Sequence, residues 1–489
     1  MSASDGPRPS LRFRDRSVFD GVARQEVGSV DLAAHSVAVL VPSLTALGTG
    51  LAFPAMIGPG FWLSTLLGFG VVFLLASTFG EFSTRFRSAG TLYTFVAKGL
   101  GPAPALVVAG CLVVGYAAMI GFGLTDAAGR ADAALDASGL GGAGPWRIGA
   151  LFLVGVIMCL YAMTRGIHWS TRAALVAEAA SFVILGAVLV VWTLRYGLPS
   201  TGAFSLQGAS PGRILLGAAT IVTLTLAFES SASLGLETRR PFREVPLALK
   251  SSLALAAVLF VIANVVATAR PADAPSIWTW RWLSPGADRS VSDALVLVVL
   301  AWSLVALAMC VWSALARLLF SMSREGILPA ALGRVDTRGI PVVATLAVLP
   351  LVVTPPVFAM LAGVGLDGFS WQLKLSASVV LCVAYASAAA SLPLFLRSID
   401  EVTHGPVLAA VIGGIGAAAV AANELVRELR DGNPLGLALL AVAFAVGLGM
   451  WVQTGRGSTP ADRYVGMHDE ALAGAVILAP ATPGDGHVD

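Results

Sequence analysis

The sequence predicts an all-α integral membrane protein, and three observations lead to this prediction. Of the 489 residues, 56% are hydrophobic and only 12% are charged, whereas soluble domains carry about 25% charged residues. Twelve stretches are long and apolar enough to cross a bilayer, which takes roughly 20 mostly apolar residues. Charged residues are concentrated between these stretches and at the two ends of the chain. We therefore expect twelve transmembrane helices and no sizeable aqueous domain.

The predicted spans follow one another with mostly short connections. In chain order they cover residues 30–57, 61–80, 102–125, 146–163, 172–194, 212–236, 248–268, 291–320, 341–361, 372–396, 405–423 and 434–453. We expect a cytoplasmic N-terminal segment at 1–28, a core of ten spans at 29–400, and spans eleven and twelve at 401–454. The tail, 455–489, is rich in Gly, Pro and Asp, and we expect it to be disordered.

The distribution of basic residues predicts the orientation of the chain. An even number of spans places both termini on one side of the membrane. That side collects about two thirds of the lysines and arginines, and such an excess marks the cytoplasmic side. We therefore expect a multi-pass protein of the cell (plasma) membrane with both termini in the cytoplasm and the lipid bilayer as its surroundings.

Composition also argues against several functions. The net charge is +2 and the basic residues lie in short loops, so we expect no nucleic-acid partner. The four cysteines lie inside apolar runs, and the five histidines lie apart from one another and outside the span centres. This pattern has no metal-ligand spacing and lacks the clustered groups that a membrane-embedded enzyme would need. We expect no enzyme activity, no cofactor and no bound metal.

Two spans contain signals that interrupt a helix. Span one has Pro42 and Ser43, followed by Gly48, Gly50 and Pro54, and a proline inside a helix removes a backbone hydrogen bond. Span six, at 212–236, carries three serines and a glycine directly after Glu229. Broken helices in corresponding places of two halves are typical of transporters with inverted repeats. The halves would be spans one to five and six to ten.

Three segments then show a resemblance to a known family. Residues 81–102 begin Glu-Phe-Ser-Thr-Arg-Phe-Arg-Ser-Ala-Gly, residues 228–250 begin Phe-Glu-Ser-Ser-Ala-Ser-Leu-Gly-Leu-Glu, and residues 317–341 begin Arg-Leu-Leu-Phe-Ser-Met-Ser-Arg-Glu-Gly. In this order and at these distances they resemble the amino acid–polyamine–organocation (APC) superfamily permeases. The resemblance implies a leucine-transporter-like fold with a 5+5 inverted repeat plus two additional helices. It also implies alternating access, with substrate held between spans one and six.

The chain departs from the family pattern at both breaks. Many members carry Gly-Ser-Gly in span one, where this chain offers either Pro42-Ser43 or Gly48-Thr49-Gly50. The spacing to Glu81 favours Pro42-Ser43. The glycine usually found two residues before the span-six glutamate is Ala227 here.

Unwound helix ends expose backbone N–H and C=O groups, which suit the carboxylate and ammonium of an amino acid. We expect this backbone to bind the substrate. The residues in the two breaks are Pro42, Ser43, Leu44, Thr223, Leu226, Ala227 and Phe228. Tyr116 in span three and Trp312 in span eight lie close to pocket-lining positions of the family, and packing between helices is the alternative for both. A simple helix kink is the alternative for the breaks.

Two carboxylates are predicted at membrane depth, Glu229 in span six and Glu178 in span five. Ionisable groups inside a membrane are costly and are usually functional. A buried carboxylate that is neutral in one conformation and ionised in another provides what proton coupling requires. A structural role is the alternative for each. A sodium site would need oxygen ligands, and span eight has no pair of adjacent hydroxyls near the middle of the membrane. This favours H⁺ as the coupling ion.

These observations predict a secondary active transporter that moves an amino acid or a related small amine by alternating access. We expect proton-coupled symport. An amino acid or amine exchanger (antiporter) and a non-transporting sensor on the same fold are the alternatives, because their binding residues would look alike in the sequence.

Overall fold

The computed structural model describes residues 26–141, 144–199, 201–269, 291–455, 465–466 and 469–470. Nearly all of these residues are helical. The helices are α1 (Ser29–Leu40), α2 (Pro42–Thr45), α3 (Leu51–Ile57), α4 (Phe61–Ser83), α5 (Leu92–Gly99), α6 (Pro102–Ala137), α7 (Pro145–Thr164), α8 (Ile167–Tyr196), α9 (Pro211–Leu224), α10 (Pro241–Ala267), α11 (Val291–Arg324), α12 (Val342–Ala347), α13 (Leu349–Leu361), α14 (Leu366–Ser398), α15 (His404–Arg430) and α16 (Leu435–Gly455).

Shorter elements connect or extend these helices. They are a π-helical turn at Ala46–Gly50, 3₁₀ segments at Thr201–Phe204, Phe228–Leu236 and Ala330–Gly333, and two short strands, β1 (Phe86–Arg87) and β2 (Asp469–Glu470). Among the described residues, twelve helices are long and apolar enough to cross a membrane. The prediction of an all-α protein with twelve spans is confirmed.

Span three differs most from its predicted bounds. Its helix runs on to Ala137, twelve residues past the predicted end at 125. The added turns carry charges that are neutralised locally, because Arg130 pairs with Asp126 at 3.1 Å and Arg147 pairs with both Asp132 and Asp136. Hydropathy alone places the end of the helix at the first charge, whereas ion pairing lets the helix continue.

The core spans pack as two groups. Spans three, eight and ten form one group, because α6 packs along both α11 and α14. Spans one, two, six and seven form the other, because α4 packs against α9 and α10, and α10 packs against α1. Contacts between these groups decide whether one can move relative to the other.

We call the side on which the chain enters span one the N-terminal face; spans two, four, six and eight end there. Residues 1–25 of the predicted N-terminal segment lie outside the described residues. Val27 is bound to the exit of span six, where its amide donates to the Glu237 carbonyl at 3.0 Å and its carbonyl accepts from the Arg239 amide at 3.1 Å. The start of span one and the end of span six are therefore fastened together.

Part of the tail differs from the expectation of disorder. Strand β2 pairs antiparallel with β1, with Phe86 opposite Glu470. The Gly466 amide donates to the Tyr93 hydroxyl at 3.1 Å and to Glu325 Oε2 at 2.9 Å. Backbone pairing and a buried glycine hold these four tail residues against the N-terminal face, and the rest of 456–489 lies outside the described residues.

Candidate functional site

Span one breaks at Val41. Helix α1 ends at Leu40, Val41 takes a left-handed backbone conformation with φ of 42°, and the next helix begins at Pro42. Pro42 cannot donate a backbone hydrogen bond, which makes a helix boundary favourable at this position. The break coincides with Pro42-Ser43, whereas Gly48 and Gly50 lie in a π-helical turn between two helical segments.

Span six breaks just before Glu229. Helix α9 ends at Leu224, and the chain resumes as a 3₁₀ segment at Phe228. Ala227 between them has a φ of 63°, a conformation that costs roughly 1–2 kcal/mol for a residue with a Cβ. Its amide donates to the Tyr385 hydroxyl at 2.8 Å. The break thus forms at an alanine because a side chain from span ten binds the backbone there.

The two breaks lie at the same depth. Ser231 of span six donates to Ser36 of span one at 3.4 Å, which fixes the register between the two spans. Val41 lies about 7.5 Å from Ser36 along an α-helix, and Ala227 lies about 8 Å from Ser231 along a 3₁₀ segment. Since the spans run in opposite directions, both breaks face one level near mid-membrane.

Glu229 is enclosed between two tyrosines. It is fully buried; Tyr116 of span three donates to its Oε1 at 2.7 Å, and Tyr385 of span ten donates to its Oε2 at 2.6 Å. Both hydrogen bonds cross between the two groups of spans. The Glu229 side chain is therefore the point at which span six is fastened to spans three and ten.

This arrangement depends on the charge of Glu229. Since the Tyr385 oxygen accepts the Ala227 amide, the Tyr385 proton is directed to the carboxylate. An ionised Glu229 accepts both tyrosine protons, whereas a protonated one brings a proton of its own that needs an acceptor. Adding one proton would therefore disturb the contact between span six and span ten.

Aromatic rings form one wall beside the carboxylate. Phe228 stacks on Phe79 of span two, with centroids 5.7 Å apart and planes at 16°. It also meets Tyr385 edge to face at 5.6 Å. The Tyr385 ring and the Phe228 backbone are held in place together, which makes the geometry around Glu229 rigid.

Buried hydroxyls without a partner mark the breaks. Ser43 in span one and Thr223 in span six are 0% and 1% exposed. Within the described part of the chain, neither side-chain oxygen has a hydrogen-bond partner. A buried, unsatisfied hydroxyl is costly and calls for an explanation. Pro42, Leu44, Leu226 and Phe228 are buried as well, so the predicted break residues all lie in the interior of the protein.

Two predicted residues have partners outside the breaks. The Trp312 indole donates to the Thr345 carbonyl of span nine at 2.9 Å. Such a contact agrees with the alternative role of Trp312, which is packing between helices. Glu178 accepts a hydrogen bond from Ser303 of span eight. Among the described hydrogen bonds, none joins Glu178 to Glu229 or to its two tyrosine partners. No described hydrogen bond joins either residue to the breaks, and their roles at the site stay predictions.

On the N-terminal face, an ion pair lies beneath the site. Arg317 of span eight makes two hydrogen bonds to Glu237 at the end of span six, at 2.6 and 2.9 Å. Beside the pair lies a cavity of about 500 Å³, whose lining includes Ser313, Arg165 and Arg338. The pair fastens span six to span eight at this face.

The sequence interpretation missed three of the site's residues. They are Tyr385, Phe79 and the Glu237 partner Arg317. A tyrosine in the middle of an apolar span needs a hydrogen-bond partner when buried, and this signal could have pointed to Tyr385. The identity of the Tyr385 partner depends on how span ten packs against the other spans, and no local sequence pattern reveals this packing.

Comparisons with known proteins agree with this geometry. A family model described as amino acid permease matches residues 32–427. The vacuolar cationic amino acid transporter 2 of Arabidopsis thaliana is 26% identical, over 67% of this chain and 56% of that protein. The methylthioribose transporter of Bacillus subtilis is 23% identical, over 68% and 75%. The branched-chain amino acid permease BcaP of Lactococcus lactis is 26% identical, over 60% and 68%. The match thus spans little more than half of the plant transporter.

A solved structure of a Na⁺-coupled sialic acid symporter has a TM-score of 0.50 with 10% identity, over 81% of this chain and 89% of that chain. Together with the broken spans one and six, this likeness defines a membrane protein of the leucine-transporter-like fold. Because the family model covers most of the chain, the protein belongs to the amino acid permease family of the APC superfamily, a family of membrane transporters and not of enzymes.

Proposed function

We propose that the chain is a secondary active transporter for a neutral amino acid or a related small amine, coupled to protons. The observation that carries the proposal is the pair of breaks at one depth beside a buried carboxylate. Helix ends at a break expose N–H groups on one side and C=O groups on the other, which complement the two charges of an amino acid.

A neutral side chain fits the surroundings best. Both Glu229 oxygens accept tyrosine hydroxyls, so this carboxylate serves contacts between the spans. The residues around the breaks supply apolar surface and the two unpartnered hydroxyls of Ser43 and Thr223. These hydroxyls would satisfy polar groups of the substrate.

Glu229 is the first candidate for the coupling group. Its ionised form accepts both tyrosine hydroxyls and so joins span six to spans three and ten, whereas its protonated form adds an O–H that needs an acceptor of its own and weakens that arrangement. A proton bound there would thus change the contact between the two groups of spans, which alternating access requires. Glu178 is the second candidate, because a buried carboxylate in span five also contacts span eight.

The N-terminal face would be the cytoplasmic side, as the basic residues predict. In that orientation the Arg317–Glu237 pair closes the cytoplasmic exit. The substrate would enter from outside and leave after this ion pair opens.

Uptake into proteoliposomes tests the proposal. Radiolabelled neutral amino acids should accumulate when the outside is acidified, and collapse of the proton gradient should stop accumulation. A sodium gradient at constant pH is the control for the coupling ion. Uptake that appears only with amino acid inside the vesicles would support an exchanger instead. Binding without any accumulation would favour the sensor and contradict the transporter.

A further inference from the structure

A groove separate from the breaks lies between spans one, five and seven near the N-terminal face. It has a volume of about 430 Å³, within the range of about 300–1,000 Å³ typical of ligand pockets. Its walls are mainly apolar and come from α1, α8 and α10. The lining includes Val30, Ala34, Leu175, Ala179, Phe182 and Leu247.

Two carboxylates interrupt this apolar surface, Glu178 from span five and Glu244 from the start of span seven. Glu178 is only 2% exposed. One oxygen of each carboxylate, Oε2, is buried and has no hydrogen-bond partner among the described residues. Nor does either carboxylate form an ion pair within the part of the chain that the structure describes. Two carboxylates that line one groove, each with an unsatisfied oxygen, favour a cation.

The chemistry of the groove selects the kind of cation. Among the described residues, no group of three or more His, Cys, Asp or Glu could hold a metal ion, and the walls offer apolar surface where a hydrated metal would need oxygen ligands. An ammonium can donate to both carboxylates while its hydrocarbon part covers the walls. We propose that this groove is a binding site for a lipophilic amine, with the ammonium between Glu178 and Glu244.

Because helix α1 lines the groove, an amine bound there would affect the movement of this helix. Helix α1 is the first half of broken span one and ends at Val41, so it must move for the N-terminal face to open. An amine held between α1, α8 and α10 resists that movement. This consequence rests on the proposed transport function, whereas binding itself does not.

Binding is tested with three probes of one length: octylammonium, neutral octanamide and octanoate. They are titrated onto the full chain in lipid nanodiscs while its thermal transition is recorded. We expect octylammonium to bind about tenfold more tightly than octanamide, because its charge meets the two carboxylates, and octanoate not to bind. From butyl to octylammonium, affinity should rise about fourfold per methylene. Equal binding of octylammonium and octanamide would overturn the proposal.

Variants locate the site. Glu244→Gln should weaken octylammonium binding about tenfold, and the Glu178→Gln/Glu244→Gln double variant should abolish the preference over octanamide. Glu26→Gln, which removes an exposed carboxylate on the same face outside the groove, is the matched control. If Glu178→Gln does not fold, Glu244→Gln carries the test alone. An unchanged preference in Glu244→Gln would count against the site.

A filled groove separates binding there from general partition into the membrane. Ala179→Phe places a ring in the groove, and Val183→Phe, one turn further along the lipid-facing side of the same helix, is the control. Only Ala179→Phe should abolish octylammonium binding; loss in both or in neither contradicts the assignment. Octylammonium should also slow uptake by wild type more than by Ala179→Phe. If wild type binds octylammonium but never accumulates an amino acid, the proposed function fails while the site stands.

Discussion

Span six is held to spans three, eight and ten in two places, and the two attachments differ in chemistry. Near mid-membrane, Glu229 is bound by the hydroxyls of Tyr116 and Tyr385. At the N-terminal face, Glu237 is bound by the guanidinium of Arg317. The first attachment has no basic partner among the described ion pairs, whereas the second is an ion pair beside a cavity. In the proposed function, coupling belongs to the first attachment and closure to the second.

The largest change in stability is expected at the ion pair. Arg317→Gln leaves Glu237 buried without its charge partner, which should cost about 3–5 kcal/mol of unfolding free energy. Glu401→Gln breaks the more exposed pair between Glu401 and Arg85 and should cost less than about 1 kcal/mol. Chemical unfolding in micelles measures both. Similar losses in the two variants would mean that the Arg317–Glu237 pair is not a buried attachment.

The two tyrosines should differ in effect. Tyr385→Phe leaves both Glu229 Oε2 and the Ala227 amide without a partner, at about 1–3 kcal/mol for each group. Tyr116→Phe leaves Glu229 Oε1 unpaired and removes a contact of the Thr91 hydroxyl, but it leaves the backbone of the break in place. The loss for Tyr385→Phe should therefore be the larger of the two in the same unfolding measurement, because its unpaired amide belongs to the strained backbone at Ala227. Equal losses would contradict the dual role of the Tyr385 hydroxyl.

A double-mutant cycle tests how the break at Ala227 is held. Glycine adopts a positive φ without strain, so Ala227→Gly should make the break less dependent on Tyr385. We expect the cost of Tyr385→Phe to fall by about 1 kcal/mol in the Ala227→Gly background. The unfolding free energies of all four proteins give this interaction term. Strict additivity would show that the hydroxyl does not support the backbone.

The hydroxyls at the breaks should affect binding without supporting stability. Ser43→Ala and Thr223→Val remove buried groups that have no partner among the described residues, so the free energy of unfolding should stay the same or rise, by up to about 1–3 kcal/mol. Substrate affinity should fall up to about tenfold for each. Ser36→Ala is the opposite control, since Ser36 shares a hydrogen bond with Ser252 at 2.8 Å and should lower stability alone. Calorimetric titration with the transported amino acid distinguishes a loss of substrate affinity, expected for Ser43→Ala and Thr223→Val, from unchanged affinity, expected for Ser36→Ala.

Much of the fold could be predicted because its signals are local. A bilayer requires long apolar helices, so composition alone locates the twelve spans. The break in span one could be predicted as well, since Pro42 cannot donate the backbone hydrogen bond of a continuing helix. Only the choice between Pro42 and the glycines at 48 and 50 needed the structure.

The remaining features depend on residues far apart in the chain. Nothing near Ala227 indicates a left-handed backbone, and its support comes from Tyr385, 158 positions away. The Arg317–Glu237 attachment joins residues 80 positions apart. Trp312 shows the same limit: the sequence predicts an aromatic residue of span eight at the site, and its type does not reveal that its indole donates to a backbone carbonyl of span nine. Residue type predicts that a buried polar group has a partner, and packing decides which one.

The central claim is that the charge of Glu229 links proton binding to movement of span six. The most direct test compares acid-driven uptake by wild type and Glu229→Gln in proteoliposomes, with binding measured on the same preparations. Glutamine keeps the size of the side chain and can accept a tyrosine hydroxyl, but it cannot exchange a proton. We expect Glu229→Gln to retain substrate binding within about threefold and to lose uptake driven by a pH gradient. Uptake that keeps its full pH dependence in Glu229→Gln would contradict the claim.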